Sequence, residues 1–399
     1  MHVPEGWRKT KIADIAHIQV GRDLNESAYS EIKTNEYRFP VYSNTVENRG
    51  LYGYYNFEEY PGNSVTIVGR GIGLGTAFSR KKGRGFGAIG RLLVVNPIHN
   101  SFDVDFFANY VNFRLIIFNE SGGIPQLPGS QIAKYHVVLP PLPEQQKIAQ
   151  ILSTWDKAIE KLHTLITAKQ KRKKALMQQL LTGKKRFAGF EGEWKYKHLA
   201  EISYIDAKTL SNSTDPNYTF KYISLSDVQE GKINENLKTF TFHNAPSRAR
   251  RVVHTNDIII ATVRPNLQGF AKIKEVKSKT YIASTGFSTI ASKADYSQDY
   301  IYHYLFSSHI VFQINALVVG SNYPAINSSD VRGLHILCPG FKEQQKIASV
   351  LSAADKEIET HQKQLSALKQ QKKGLMQQLL TGKKRVKTDE PVQMAAAGA

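Results

Sequence analysis

A single cysteine, Cys338, stands in a chain of 399 residues. That excludes an internal disulfide and any cluster of thiolate metal ligands, and it fits a reducing cytoplasm. Long apolar runs are missing as well: none reaches the roughly 18 residues of a membrane span. The opening MHVPEGWRKTKIADIA lacks the apolar stretch of a secretory signal. Acidic residues are scarce: 34 Asp and Glu stand against 53 Lys and Arg, a net charge of +19 with a pI near 9.7. A field of that sign steers and holds polyanions. With 41% hydrophobic and 22% charged residues, the composition is that of an ordinary globular chain with room for two or three domains.

Catalytic signatures are lacking too. GRGIGLG at Gly69–Gly75 has neither the lysine of a phosphate-binding loop nor the spacing of a dinucleotide fingerprint. DPNY at Asp215–Tyr218 is similar to the acidic-Pro-Pro-aromatic loop of amino-methyltransferases, but the second Pro is missing and no cofactor-binding Gly-rich turn precedes it, so a surface turn is expected. There is no zinc spacing, no nucleophile elbow and no carboxylate–lysine nuclease set. No catalytic residue, no metal ligand and no cofactor bound by this chain are expected.

What is present is a repetition. EQQKIA at Glu144–Ala149 returns at Glu343–Ala348, and LMQQLLTGKKR at Leu176–Arg186 returns at Leu375–Arg385, both at an offset of 199 residues (343 − 144 and 375 − 176). A shared offset across two separated blocks marks a duplication, so the order is globular segment, helix, globular segment, helix. After Pro143 neither Pro nor Gly occurs until Gly183, where Gly and the following KKR form a stop signal. Over that stretch Ile148, Leu152, Trp155, Ile159, Leu162 and Ile166 recur at alternating spacings of four and three. Lys169, Lys173, Leu176 and Leu180 continue the stripe. The second copy gives Ile347, Leu351, Ala354, Ile358, His361, Leu365, Leu368, Lys372, Leu375 and Leu379. This is the seam of a coiled coil, and two equal helices in one chain are expected to pair antiparallel. Lys173 and Lys372 interrupt the seam at equivalent places. They either snorkel to solvent or contact an acidic partner subunit.

The two globular segments open alike, with Trp7 and Trp194. They also close alike, with Pro125, Ser130, His136 and Pro140 aligning on Pro324, Ser329, His335 and Pro339. His136 and His335 stand in alternating apolar runs and are expected to be structural. The middles differ. Ser64–Ser79 and Lys81–Pro97 in the first segment, and Asn256–Ile273 and Lys277–Ser292 in the second, predict β-branched strands with Gly, Pro or Asn turns. A helix is expected after each, near Phe106–Phe118 and Tyr300–Leu317. The fold class is therefore α+β, two similar strand-rich domains joined by two long helices. Basic residues cluster on the predicted turns. Arg70, Arg80, Lys81, Lys82, Arg84 and Arg91 mark the first segment; Arg248, Arg250, Arg251, Arg264, Asn266, Lys277 and Lys279 mark the second. Arg and Lys neutralise phosphate, and Arg can fork onto guanine O6 and N7, so these are the candidate DNA contacts. Tyr42, Ser43, Asn44, Ser284 and Thr285 are weaker candidates for base edges.

The order of elements, the helix starts PPLPEQQKIAQIL and KEQQKIASVL, the GIPQL-type loop before them and the repeated LMQQLLTGKKR resemble the specificity subunit of type I restriction–modification systems. The resemblance runs from Trp7 to about Arg385. It implies a first target-recognition domain at 1–142, a spacer helix at 143–185, a second recognition domain at 186–341 and a second spacer helix at 342–385. A flexible tail is expected at 386–399. It further implies a non-catalytic chain in the cytoplasm. Each recognition domain would read one half of a split, asymmetric site in double-stranded DNA. The paired helices would set the gap and dock two modification subunits, and restriction subunits would join through those. S-adenosylmethionine for adenine methylation, ATP and Mg would belong to these partners. Two other readings of the residues stay open: a stand-alone DNA-modifying enzyme, and a basic adaptor for RNA or an acidic protein.

Overall fold

The structure, a computed structural model, describes residues 3–118, 123–229, 231–274, 280–318 and 324–388. Two compact units divide it, and each is discontinuous in sequence: unit 1 is Met1–His163 with Gln364–Ala399, and unit 2 is Thr164–Lys363. Two helices of 39 residues, α1 (Leu142–Leu180) and α2 (Phe341–Leu379), each give one segment to either unit. Each runs ~58 Å at 1.5 Å per residue, longer than the stripe alone required.

In unit 1 the strand Arg8–Lys11 pairs antiparallel with His136–Leu139, fastening the first strand of the domain to its last. Between them lie two four-stranded sheets. The first has the order Ala16–Val20, Leu93–Pro97, Ser64–Ile67, Ala77–Arg80; the second has Tyr29–Ser30, Leu51–Tyr55, Phe39–Tyr42, Gly87–Ala88, its last pair parallel. Side chains alternate across a strand, and the packing uses both faces. Val65, Ile67, Leu93 and Val95 join a core with Phe106, Phe107, Tyr110 and Val111 of the helix Val104–Arg114. Leu92 and Val94 point the other way, onto Tyr60, Phe86 and Ala88. That helix starts where Asp103 accepts hydrogen bonds from the Asp105 and Phe106 amides at 3.0 and 2.8 Å.

Unit 2 repeats the plan. Lys195–His198 pairs with His335–Cys338. One sheet runs Ser203–Ile205, Phe287–Ser292, Ile258–Ala261, Phe270–Lys272; the other runs Thr239–Thr241, Thr219–Ile223, Tyr281–Ser284, Ala249–Val253, with the middle pair parallel. Ile258 and Ile260 face the core that holds Tyr300, Ile301 and Leu305, while Ile259 faces the second sheet. The single helix expected near Tyr300–Leu317 is two, Gln298–Leu305 and Ser308–Leu317. The Ser307 hydroxyl accepts from the Ile310 amide and starts the second.

The repeated sequence blocks coincide with locks that close each unit. In unit 1, Arg385 donates through Nε and Nη2 to both carboxylate oxygens of Glu144 at 2.7 Å. In unit 2, Arg186 holds Glu343 in the same fork at 3.0 and 2.8 Å. The following glutamines tie helix to domain. Gln145 accepts from the Asp103 amide at 3.0 Å and donates to the Pro140 carbonyl at 2.9 Å. Gln344 does the same for Ser297 and Pro339 at 3.0 and 2.8 Å. Leu379 and Leu380 enter the core of unit 1, and Leu180 and Leu181 that of unit 2. Gly183 and Gly382 end the helices at φ of +71° and +69°, the left-handed conformation that favours glycine.

The helix segments pair antiparallel inside each unit. From Glu144–Arg385 to Asp156–Lys372 in unit 1, the first partner climbs the sequence while the second descends. Lys173–Asp355 and Arg186–Glu343 in unit 2 run likewise. Lys173 and Lys372 therefore meet Asp355 and Asp156 of this same chain, at 2.6 and 2.5 Å. Of the seam positions, Ile148, Leu152, Ile166, Ile347, Leu351 and Ile358 are buried; Trp155, Ile159, Leu162, Leu365 and Leu368 are half-buried.

Candidate nucleic-acid interface

In unit 1 the turn joining Ser64–Ile67 to Ala77–Arg80 carries Arg70, and the turn after Gly87–Ala88 carries Arg91. The Asn44 side chain accepts from the Gly69 amide at 2.8 Å and donates to the Gly90 carbonyl, so one side chain spans both turns. Gly69 is needed there, because a Cβ would lie 2.5 Å from the Arg91 carbonyl oxygen. A third strand of backbone locks on: the Gly71 amide donates to Pro125 and the Leu127 amide to Gly69, each at 2.9 Å. Arg70 and Arg91, distant in sequence, thus share one loop cluster. Arg22 joins it, since the Gly90 amide donates to the Arg22 carbonyl at 2.9 Å.

The other candidates in this unit have different fates. Arg80 is 5% exposed; it donates to Thr66 Oγ1 and the Arg49 carbonyl at 2.9 and 2.8 Å and lies 3.3 Å over the Tyr42 ring. Burial pushes its pKa down to about 10. Its charge is committed to the interior, which corrects the expectation of a DNA contact for Arg80; Tyr42 is half-buried in the wall of a cavity. Lys81 pairs with Asp105. Lys82 and Arg84 are exposed. A cavity of about 1060 Å³ lies beside them, with Lys33, Arg38, Arg49 and Lys372 in its wall. The sequence reading missed Arg22, Lys33, Arg38 and Arg49. Arg22 forms a bridge with Ile89, Arg49 lies in the 3-10 helix Glu47–Gly50, and Lys33 and Arg38 stand in irregular backbone; all precede the Gly-rich block, and no periodicity connects them to it.

In unit 2 the corresponding turn, between Ile258–Ala261 and Phe270–Lys272, carries Arg264 and Asn266, both exposed. It is pinned in the same way: the Arg264 amide donates to Pro324 at 2.7 Å and the Ile326 amide to Thr262 at 2.9 Å. Pro125 and Pro324, aligned in the sequence, do the same work. Thr262 donates its amide to Gly286 and Thr285 donates to Arg248, each at 2.8 Å, which brings exposed Arg248 and Thr285 into the cluster. Arg251 instead pairs with the buried Asp206 at 3.2 Å and reaches Ser328, and Arg250 folds over Phe242 at 4.7 Å. Arg251 is thus a structural cation, a correction of the same kind as Arg80. Ser284 is buried, and its hydroxyl accepts from the Gly286 amide. Lys277 and Lys279 lie outside the described residues.

His136 and His335 are exposed at the ends of their strands rather than interior; His335 packs on the ring of His198 at 4.2 Å. Asp215–Tyr218 is a turn in which the Asp215 carboxylate accepts from the Asn217 amide at 2.8 Å, an Asx-turn with no further function required. Among the described residues no helix is long and apolar enough to cross a membrane.

Comparison with known proteins follows the same two-part division. The family model for the type I restriction modification DNA specificity domain matches residues 4–170 and again 191–370. The chain is similar to the type I restriction enzyme MjaVIII specificity subunit of Methanocaldococcus jannaschii, 24% identical over 97% of this chain and 95% of that one. Among solved structures it resembles the S subunit of a type I restriction–modification system from M. genitalium. That match has a TM-score of 0.65 at 16% identity, covering 95% of this chain and 98% of that chain. A second solved chain, described in work on complex assembly and conformational transition of the type I R-M system, gives a TM-score of 0.54 at 14% identity over 96% and 99%. With both strand-rich domains and most of both helices inside the matched segments, this protein belongs to the family of type I restriction–modification DNA specificity proteins.

Proposed function

We propose that the chain is the DNA-reading, non-catalytic subunit of a type I restriction–modification complex. Each unit would read one half of a split, asymmetric site in duplex DNA. The observation that supports this most is the doubled loop cluster: Arg70 and Arg264 stand on equivalent turns locked by equivalent prolines, and a second arginine, Arg91 or Arg248, is brought beside each on a different segment. Rigid turns bearing guanidinium groups suit base-edge and phosphate contacts in a groove. Their flanking sequences differ, as two readers of different half-sites require.

The paired helices α1 and α2 would set the gap between half-sites and dock two modification subunits, which would bring restriction subunits with them. S-adenosylmethionine, ATP and Mg would be bound by those partners and not by this chain, and the complex would work in the cytoplasm. The test is competition binding by the chain assembled with its modification subunit. Labelled duplex carrying the site should be displaced by the same unlabelled duplex and not by single-stranded RNA of equal length. Displacement by RNA would favour the adaptor reading. Turnover of S-adenosylmethionine or cutting of DNA by the chain alone would establish an enzyme.

A further inference from the structure

In each unit the large aliphatic side chain most exposed among the described residues sits on the same turn. Ile72 is 93% exposed in unit 1 and Leu267 is 69% exposed in unit 2. Both turns join the third and fourth strands of the first-named sheet. A single exposed apolar residue needs no explanation. Two on equivalent turns, in domains whose middles otherwise diverge, do. Each also stands beside the arginine assigned to DNA, Arg70 next to Ile72 and Arg264 next to Leu267, on backbone held outward. Gly71 and Gly73 take φ of +83° and +89°, and Arg264 and Gln268 take +50° and +51°. The Thr76 amide closes on Gly73, and the Leu267 amide on Arg264, at 2.9 and 3.0 Å. The tips are therefore presented, not frayed.

We propose that Ile72 and Leu267 each read a thymine through its C5-methyl group in the major groove. This rests on the reading of the chain as a DNA-specificity subunit and names two residues that would set its specificity. The methyl is the one apolar feature on a base-pair edge, and an aliphatic side chain beside a guanidinium matches a thymine flanked by acceptor atoms or phosphate. A protein partner would call for a broad apolar patch. Here each tip carries one aliphatic side chain between non-apolar neighbours in the chain, Gly71 and Gly73 beside Ile72, Asn266 and Gln268 beside Leu267, with Val46 packed against Gly73 from the side.

The experiment uses the assembled complex and the duplex site mapped from its methylation pattern. Each thymine of the site is replaced in turn by uracil, which removes the methyl and keeps the pairing, and affinity is measured by fluorescence anisotropy. One thymine in each half should weaken binding about fourfold when changed, the effect of one methyl-sized group no longer leaving water. Ile72→Ala should abolish the uracil effect in one half alone, and Leu267→Ala in the other. Uracil tolerated at every position, a uracil effect that survives both substitutions, or a half-site without thymine on either strand would overturn the proposal. So would an Ile72→Ala chain that no longer assembles with the modification subunit, because the tip would then serve a protein interface. A site that is not split would defeat the underlying reading. A split site indifferent to uracil would defeat only this inference.

Discussion

Replacing Gln145 by Ala should loosen unit 1 and leave unit 2 intact, while Gln344→Ala should do the reverse. Gln145 is 1% exposed and Gln344 2%. Each side chain satisfies two backbone groups, an amide at a helix start and the proline carbonyl before α1 or α2. Truncation orphans both. A buried group left without a partner costs about 1–3 kcal/mol. The carbonyl bond is buried and the amide bond only partly so, which puts the sum at about 2–4 kcal/mol. At 1.4 kcal/mol per factor of ten, amide protection in the affected unit should fall about 30- to 800-fold. Hydrogen exchange followed by mass spectrometry reads this directly, with peptides spanning Val104–Arg114 for Gln145 and Gln298–Leu305 for Gln344. Gln145→Glu should do no better than Ala, since a carboxylate oxygen would replace the amide that donates to Pro140. A loss below tenfold, or a loss shared equally by the two units, would show that these glutamines do not lock helix to domain as described.

Three further outcomes follow from the same structure. Glu144→Arg or Arg385→Glu alone should lower the thermal midpoint, and the two together should recover part of it; a double exchange no better than either single one would refute the fork as the contact that matters. His303 is buried, 2.9 Å from Ser352 and 3.8 Å from Asp355, with Lys173, Lys272 and Asp299 also facing it. Burial first, then Lys173, lowers its pKa to about 4 from 6.5. The native state therefore resists a proton that the unfolded chain accepts. Stability is full above pH 6.5 and should fall by up to about 3 kcal/mol as pH drops towards 4; a His303→Gln chain should lose that slope in denaturant titrations, and an unchanged slope would assign it to other groups. Arg70→Ala and Arg264→Ala in the assembled complex should each weaken binding about 5- to 100-fold. Affinity equal to the parent at several salt concentrations would remove them from the interface.

The helices were legible because their signal is local and periodic. Ile148 through Ile166 and Ile347 through Leu368 repeat every three and four residues, and the doubled blocks marked both ends. The reason those blocks are repeated was not legible. Glu144 answers Arg385 and Glu343 answers Arg186, across more than 150 residues in each case, and nothing local announces such a pairing. The strand-rich middles were recognised by their β-branched runs, but sheet order depends on long-range pairing. The break at Ser307 is not legible because Tyr300–Leu317 holds neither Pro nor Gly, and the cap that splits it is a single hydroxyl. Among the basic residues, composition could not separate Arg80 and Arg251, whose charges are committed inside their units, from Arg70 and Arg264 on the turns. Burial and partner geometry make that distinction, and they depend on residues such as Thr66 and Asp206 that lie elsewhere in the chain.

The central claim is that two units of one chain read two half-sites, and the position of the methylated bases left by the proposed complex tests it most directly. With the chain co-expressed beside its modification subunit, single-molecule sequencing of host DNA should give a split motif: two short defined halves around a gap of fixed length and undefined sequence. A continuous motif would contradict the account, because one unit would then be reading alone or the helices would not be setting a gap.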